Sequence, residues 1–168
     1  MRVNRASLPM LLLVAMGCAR SVPPEVERST PASLEGGDAI MLYRSPCAAG
    51  CPVYTLRVTR DGLVSYEGTS GVSRTGTATR RVSPSRVETL LAELEGAGYF
   101  SFADRYRPSE RVCGRYVPDA PTVITSARLN GRAKRIEHDH GCGGAPEALR
   151  VLESRIDEAL GAARWTGR

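Results

Sequence analysis

The chain has 168 residues, with 23 lysine and arginine residues against 18 aspartate and glutamate residues, and a formal net charge of +5. This length is sufficient for one domain with a hydrophobic core, and no linker-like segment divides the middle of the chain. The excess of positive charge is too small to indicate a nucleic-acid-binding protein. We therefore expect a single globular domain with no nucleic-acid partner.

The amino terminus has the composition of a secretory signal peptide. Two arginines precede an apolar stretch at residues 8–16, and Gly17 follows directly before Cys18. This stretch is too short for a transmembrane helix, which needs roughly 20 apolar residues. We expect residues 1–17 to be removed on export, which takes away both arginines and leaves a mature charge of +3 from 21 basic and 18 acidic residues.

Residues 15–18, Ala-Met-Gly-Cys, resemble the lipobox of bacterial lipoproteins. In that motif the cysteine is acylated, for example with palmitate, and becomes the first residue of the mature chain. The resemblance therefore implies a lipid anchor at Cys18, where each buried methylene contributes about 0.8 kcal/mol to membrane binding. Ala19 is not the aspartate that favours retention at the inner membrane, which implies an outer-membrane lipoprotein on the periplasmic face or the cell surface. The alternative is an ordinary secreted protein in which Cys18 is a free thiol.

A flexible tether is predicted from Cys18 to residue 38, because this segment mixes proline, serine, glycine and charge without an apolar period. About 20 flexible residues span roughly 25 Å, which would lift a domain clear of the lipid headgroups. We expect the folded domain to cover residues 39–165.

The first half of this domain has the pattern of four strands. Alternating apolar residues define one buried face, and Asp61-Gly62 predicts a tight hairpin turn because this pair supplies the positive φ angles of a primed turn. The predicted strands cover residues 39–43, 53–60, 63–67 and 72–82. The residues expected on the buried face are Tyr54, Leu56, Val58, Val64 and Tyr66.

Two helices and a second hairpin complete the pattern. Ser83-Pro84 predicts a capped helix start, and Asn130-Gly131 predicts a hairpin between strands at residues 122–129 and 133–139. The apolar helix stripes consist of Val87, Leu90, Leu91 and Leu94 in the first helix and of Leu149, Leu152, Ile156 and Leu160 in the second. The order of these elements predicts an α+β fold: an antiparallel sheet of about six strands, four and then a hairpin, with two helices on one face. The residues expected to pack between helix and sheet are Tyr99, Phe100, Phe102 and Tyr106, with Trp165 folding back at the end.

The stretch CAAGCPVYTLRVTRDGLVSYEG, with the later PDAPT and NGR segments and the closing helix, resembles a bacterial envelope domain catalogued as domain of unknown function 6438. The likeness covers roughly residues 39–165, and its most specific part is the spacing of Cys47, Gly50, Cys51 and Tyr54. That family has no established activity. The resemblance therefore implies an exported α+β domain and assigns no catalytic residue.

Four cysteines remain if Cys18 is acylated, an even number that indicates disulfides in an exported chain. Three pairings are possible. We favour Cys47 with Cys51, which share a short loop, and Cys113 with Cys142, which join a long loop to the start of the last helix. A redox role for the first pair is the alternative, but a reactive pair is expected at a helix start, and this pair leads into a strand.

A metal site is the competing interpretation of residues 137–142, which contain both histidines of the chain. Strand alternation puts His138 and His140 on one face, where Cys142 or Cys113 could contribute a further ligand to a zinc site. We expect no metal, because Cys142 should be consumed in a disulfide and the carboxylates of Glu137 and Asp139 should point to the opposite face. His138 is expected to be hydrogen-bonded and neutral at the rim of the core.

No motif predicts catalysis or a cofactor. There is no glycine-rich phosphate loop and no nucleophile elbow, and a thiol-dependent enzyme would need a free cysteine in an oxidising compartment. The sequence therefore favours a non-enzymatic binding or accessory module of the cell envelope with an unknown partner. The alternative is a metal-binding or thiol-redox envelope protein.

Overall fold

The computed structural model describes residues 34–167, which form a seven-stranded sheet with helices on one face. The predicted signal peptide, the predicted lipidation site Cys18 and the predicted tether up to residue 33 lie outside the described residues. The strands are β1 (Asp38–Arg44), β2 (Val53–Thr59), β3 (Leu63–Ser70), β4 (Gly76–Arg81), β5 (Arg105–Tyr106), β6 (Thr122–Leu129) and β7 (Arg132–Asp139). The helices are α1 (Pro84–Gly96), α2 (Glu147–Leu160) and α3 (Ala163–Thr166).

The sheet order is β4-β3-β2-β1-β6-β7-β5, and every neighbouring pair is antiparallel except β5 with β7. The mixed α+β class is thus confirmed, while the prediction of about six strands is too low by one. The additional strand is β5, which has two residues and pairs Tyr106 with His138. Two residues are too few to produce an alternating pattern, so the sequence contains no signal for this strand.

The two hairpin turns differ in their backbone conformation. Asn130 and Gly131 both have positive φ, 51° and 74°, as the Asn-Gly pair predicts. In the first hairpin only Gly62 has positive φ, 87°, so the expectation of two such residues is wrong at Asp61. Glycine is required at position 62, because a Cβ there would lie 2.1 Å from the carbonyl oxygen of Val82.

The core lies between the sheet and the helices. The five residues predicted for the buried face of β2 and β3 are all buried, and so are both predicted helix stripes. Ser83 caps α1 by accepting a hydrogen bond from the Arg86 backbone N–H at 3.2 Å. Trp165 in α3 returns to the sheet and stacks on Tyr66 with ring centroids 4.7 Å apart. Helix packing on one sheet face is therefore confirmed.

The opposite sheet face carries a smaller cluster of Met41 and Ile124, against which Leu34 packs. Strand β1 begins at Asp38, whose carboxylate pairs with Arg57 at 3.0 Å. The last residues of the predicted tether, from 34 to 38, thus contact the domain. The local pattern of polar residues and glycines does not predict these contacts, because they are made with other strands: Leu34 packs on Met41 of β1 and Ile124 of β6, and Asp38 pairs with Arg57 of β2.

The four cysteines in the described part of the chain form Cys47–Cys51 and Cys113–Cys142, the pairing that the sequence favours. The second bridge is buried in the core, whereas the first is half-buried in the loop between β1 and β2. Among residues 34–167, no helix is both long enough and apolar enough to cross a membrane.

Candidate functional site

Helix α2 carries two carboxylates on its sheet-facing side, Glu153 and Asp157, which lie four residues apart. The side chain of Glu153 is 1% exposed and that of Asp157 is 19% exposed. Acidic side chains are rarely buried unless they are paired. Neither residue was predicted as a site residue from the sequence, although a signal is present: Glu153 lies four residues after Leu149 and three before Ile156, within the apolar stripe.

Three of the four partners of these carboxylates lie in one row across the sheet, and the fourth, His140, follows the end of β7. Strand register places Tyr54 beside Arg44, Arg44 beside Val123, and Val123 beside His138. Paired residues of neighbouring strands share a sheet face, so all of these side chains point toward the helix layer. The row therefore presents an arginine, a tyrosine and a histidine to α2.

At one end of this row, Asp157 accepts three hydrogen bonds. Arg44 donates from Nε at 2.8 Å and from a terminal nitrogen at 2.6 Å to Oδ2, and the Tyr54 hydroxyl donates to Oδ1 at 2.7 Å. Burial raises the pKa of Asp157, and the positive charge of Arg44 opposes this shift. Burial and the negative charge of Asp157 also raise the pKa of Tyr54. Tyr54 therefore remains a hydrogen-bond donor throughout the neutral pH range.

A cleft of about 530 Å³ adjoins these three residues. The Cys51-Pro52 segment of the disulfide loop lines one part of it, and Gly161 and Ala163, at the junction of α2 and α3, line another. Its volume falls within the range of about 300–1,000 Å³ that is typical of small-ligand sites. The cleft thus combines mostly small and apolar wall residues with the hydrogen-bonded group of Arg44, Tyr54 and Asp157.

At the other end of the row, Glu153 bridges two histidines. His138 Nδ1 lies 2.7 Å from one carboxylate oxygen, and His140 Nε2 lies 2.7 Å from the other. Burial acts to raise the pKa of Glu153, but the hydrogen bonds with both histidines outweigh it and hold the pKa below its usual value. We call these three residues the His–Glu cluster.

The second ring nitrogen of His138, Nε2, has no hydrogen-bond partner among the described residues although it is fully buried. An ionised Glu153 accepts the proton on His138 Nδ1, which leaves Nε2 as an unprotonated acceptor. The hydrogen bond expected of His138 is thus present, with Glu153 as its partner, but the ring is fully buried instead of lying at the rim of the core.

The structure changes the predicted set of metal ligands. Cys142 is bonded to Cys113, so the alternative set of His138, His140 and Cys142 is wrong as a thiolate site. No metal was predicted from the sequence partly because the carboxylates of Glu137 and Asp139 point away from the histidine face of β7, and no other carboxylate was expected there. Glu153 does reach it from α2.

A thiol-redox protein and a thiol-dependent enzyme both need a free thiol. The described part of the chain has none, because all four cysteines there are oxidised. Cys51 is followed by Pro52 and then by β2, so no helix amino terminus is present to lower a thiol pKa. The Cys51 backbone N–H lies 3.2 Å from Cys47 Sγ, a contact within a loop of five residues. These features favour a structural bridge.

A family profile described as "Domain of unknown function (DUF6438)" matches residues 38–160 of the chain. No curated protein matches the chain.

The pairing of Arg44 with Asp157 can be tested by substitution. Arg44→Met removes two of the three hydrogen bonds to a mostly buried carboxylate, and we expect a loss of about 2–3 kcal/mol, below the value for fully buried pairs because both side chains retain some solvent contact. Arg44→Met with Asp157→Leu should be less destabilising than Arg44→Met alone, since no unpaired charge remains. The measurement is urea denaturation of each variant.

The matched control is Arg155→Met. Arg155 pairs with Glu93 and Glu158, but its side chain is 40% exposed and its ion pairs are screened by solvent, so the loss of stability should be clearly smaller than for Arg44→Met. Equal losses for Arg44→Met and Arg155→Met would contradict the assigned role of the buried pair.

Proposed function

Because the chain belongs to the family of domain of unknown function 6438, which it matches over residues 38–160, we propose that it is a lipid-anchored envelope protein whose domain binds a partner without catalysing a reaction. The observation that carries this proposal is the oxidation of all four described cysteines. Disulfides persist in oxidising compartments and are rare in the cytosol. An exported location is therefore the expected one.

The proposed anchor is Cys18, at the end of the lipobox-like residues 15–18. Two or more acyl chains hold a protein stably on a membrane. The segment from residue 19 to residue 33 would then give the domain a limited reach from the membrane surface. We propose the outer membrane as its location because Ala19 follows the lipidated residue.

The cleft beside Asp157 is the proposed binding surface. Its carboxylates are paired within the protein, since Asp157 pairs with Arg44 and Glu158 pairs with Arg155. Small and apolar side chains such as Pro52 form most of the remaining wall. An uncharged, apolar segment of an envelope protein fits this chemistry best. Binding is favoured over catalysis because the polar groups of the cleft already hydrogen-bond with one another.

The anchor is tested by Cys18→Ser. We expect the wild-type chain to fractionate with membranes and to carry acyl mass, and the variant to be released because it lacks the acceptor thiol. The control is Cys47→Ser with Cys51→Ser, which should remain on the membrane. A further check is thiol counting after denaturation, where the wild-type mature chain should have no free thiol and an unacylated secreted chain should have one. Identical fractionation of wild type and Cys18→Ser would refute the anchor.

The binding surface is tested by photo-crosslinking in intact cells. A photoreactive amino acid at Ala163, an exposed position that lines the cleft, should capture a defined envelope protein. The same amino acid at Glu88, an exposed position on α1 outside the cleft, should not. Filling the cleft by Ser154→Trp should abolish the crosslink from position 163. Capture from both positions alike, or capture that persists after the cleft is filled, would disprove binding at this surface.

A further inference from the structure

The His–Glu cluster has the composition of a metal centre, and we propose that it is a zinc-binding site. Imidazole nitrogens and a carboxylate oxygen are established types of zinc ligand. The candidate ligand atoms of His138, His140 and Glu153 all lie within 4.8 Å of one another. The three side chains come from two elements, β7 and α2, so folding assembles the site.

The existing geometry needs only a small change to accept the ion. His138 Nδ1 and His140 Nε2 each lie 2.7 Å from an oxygen of Glu153. Zinc bonds of about 2.0–2.2 Å in a tetrahedral arrangement separate neighbouring ligand atoms by roughly 3.3 Å. The ion would therefore replace the protons shared with Glu153, and the three candidate ligand atoms, which lie within 4.8 Å of one another, would move to separations of roughly 3.3 Å.

The main chain around His140 is held in place independently of the cluster. Its backbone N–H donates to the Pro121 carbonyl at 3.0 Å, and Arg150 donates to the His140 carbonyl at 2.9 Å. Two residues further along, Cys142 is bonded to Cys113. Ligands that are fixed before the metal arrives lose little freedom on binding it, which favours affinity.

The cluster is open on one side. His138 and Glu153 are at most 1% exposed, whereas the side chain of His140 is 22% exposed, so an ion would enter past His140. Three protein ligands leave one position of a tetrahedral zinc ion for water or for an external ligand. This arrangement differs from closed structural sites, which use four protein ligands.

Two features limit the affinity. Ligation through His138 Nδ1 places the ring proton on Nε2, which has no acceptor among residues 34–167, and an unpaired buried N–H lowers affinity roughly 10- to 100-fold. Arg150 adds a positive charge at the open side. We therefore expect a chelator to remove the ion readily from the folded protein.

The test uses the purified full chain after chelator treatment and dialysis, titrated with zinc chloride alone. Calorimetry should give one zinc ion per chain, and zinc should raise the melting temperature because it binds the folded state. The chain contains only two histidines, so both sets of imidazole NMR signals can be assigned. Both sets should shift on addition of one equivalent.

The deciding variants are Glu153→Gln and His140→Asn, each of which should weaken zinc binding roughly tenfold or more. Glu147→Gln makes the same change at an exposed position of α2 and should leave binding unchanged. If Glu153→Gln fails to fold, His140→Asn decides, because His140 lies at the partly exposed end of the cluster. Absence of binding at one equivalent, or binding that both deciding variants retain in full, would overturn the proposal.

Discussion

The pairing of two buried carboxylates on α2 with a single row of the sheet fixes how the helix layer meets the sheet. Glu153 requires the two histidines and Asp157 requires Arg44 and Tyr54, because a buried charge without a partner is strongly destabilising. Because the two carboxylates lie one helical turn apart, sliding α2 by one turn would put one of them opposite the other's partners and leave the second without a partner. Apolar packing alone would tolerate such a shift more easily, since a leucine stripe fits several positions.

The same row brings the cleft and the His–Glu cluster to one end of the sheet. Arg44 ends β1 and His138 lies near the end of β7. Both strands run antiparallel to β6, so they finish at the same end of the sheet. Each disulfide lies just beyond this end of the sheet. Cys47–Cys51 follows β1, and Cys113–Cys142 joins the loop before β6 to the loop after β7. The two bridges therefore hold the loops that surround the two candidate sites. In the chain-entropy account of disulfides, Cys113–Cys142 contributes more to stability than Cys47–Cys51 because it closes the longer loop.

Local sequence chemistry predicts much of this fold. Alternation identifies the buried faces of β2 and β3, Asn130-Gly131 identifies a hairpin, and the cysteine spacing indicates the pairing. The candidate sites depend on contacts between distant segments, such as Arg44 with Asp157, which no periodicity encodes. Glu153 is the instructive case: a carboxylate within an apolar helix stripe signals a buried polar partner, although the identity of that partner depends on the register between β7 and α2.

The central claim, that Glu153 and Asp157 are both buried against the sheet but meet different partners, is tested most directly by NMR titration of the carboxyl carbons. Hydrogen bonds from the two histidines should hold the pKa of Glu153 below that of an exposed glutamate. Burial should hold the pKa of Asp157 above that of an exposed aspartate, despite the adjacent Arg44. Opposite shifts one helical turn apart are the result that the account predicts. Ordinary values for both groups would mean that α2 does not bury its carboxylates in this way, and would contradict it.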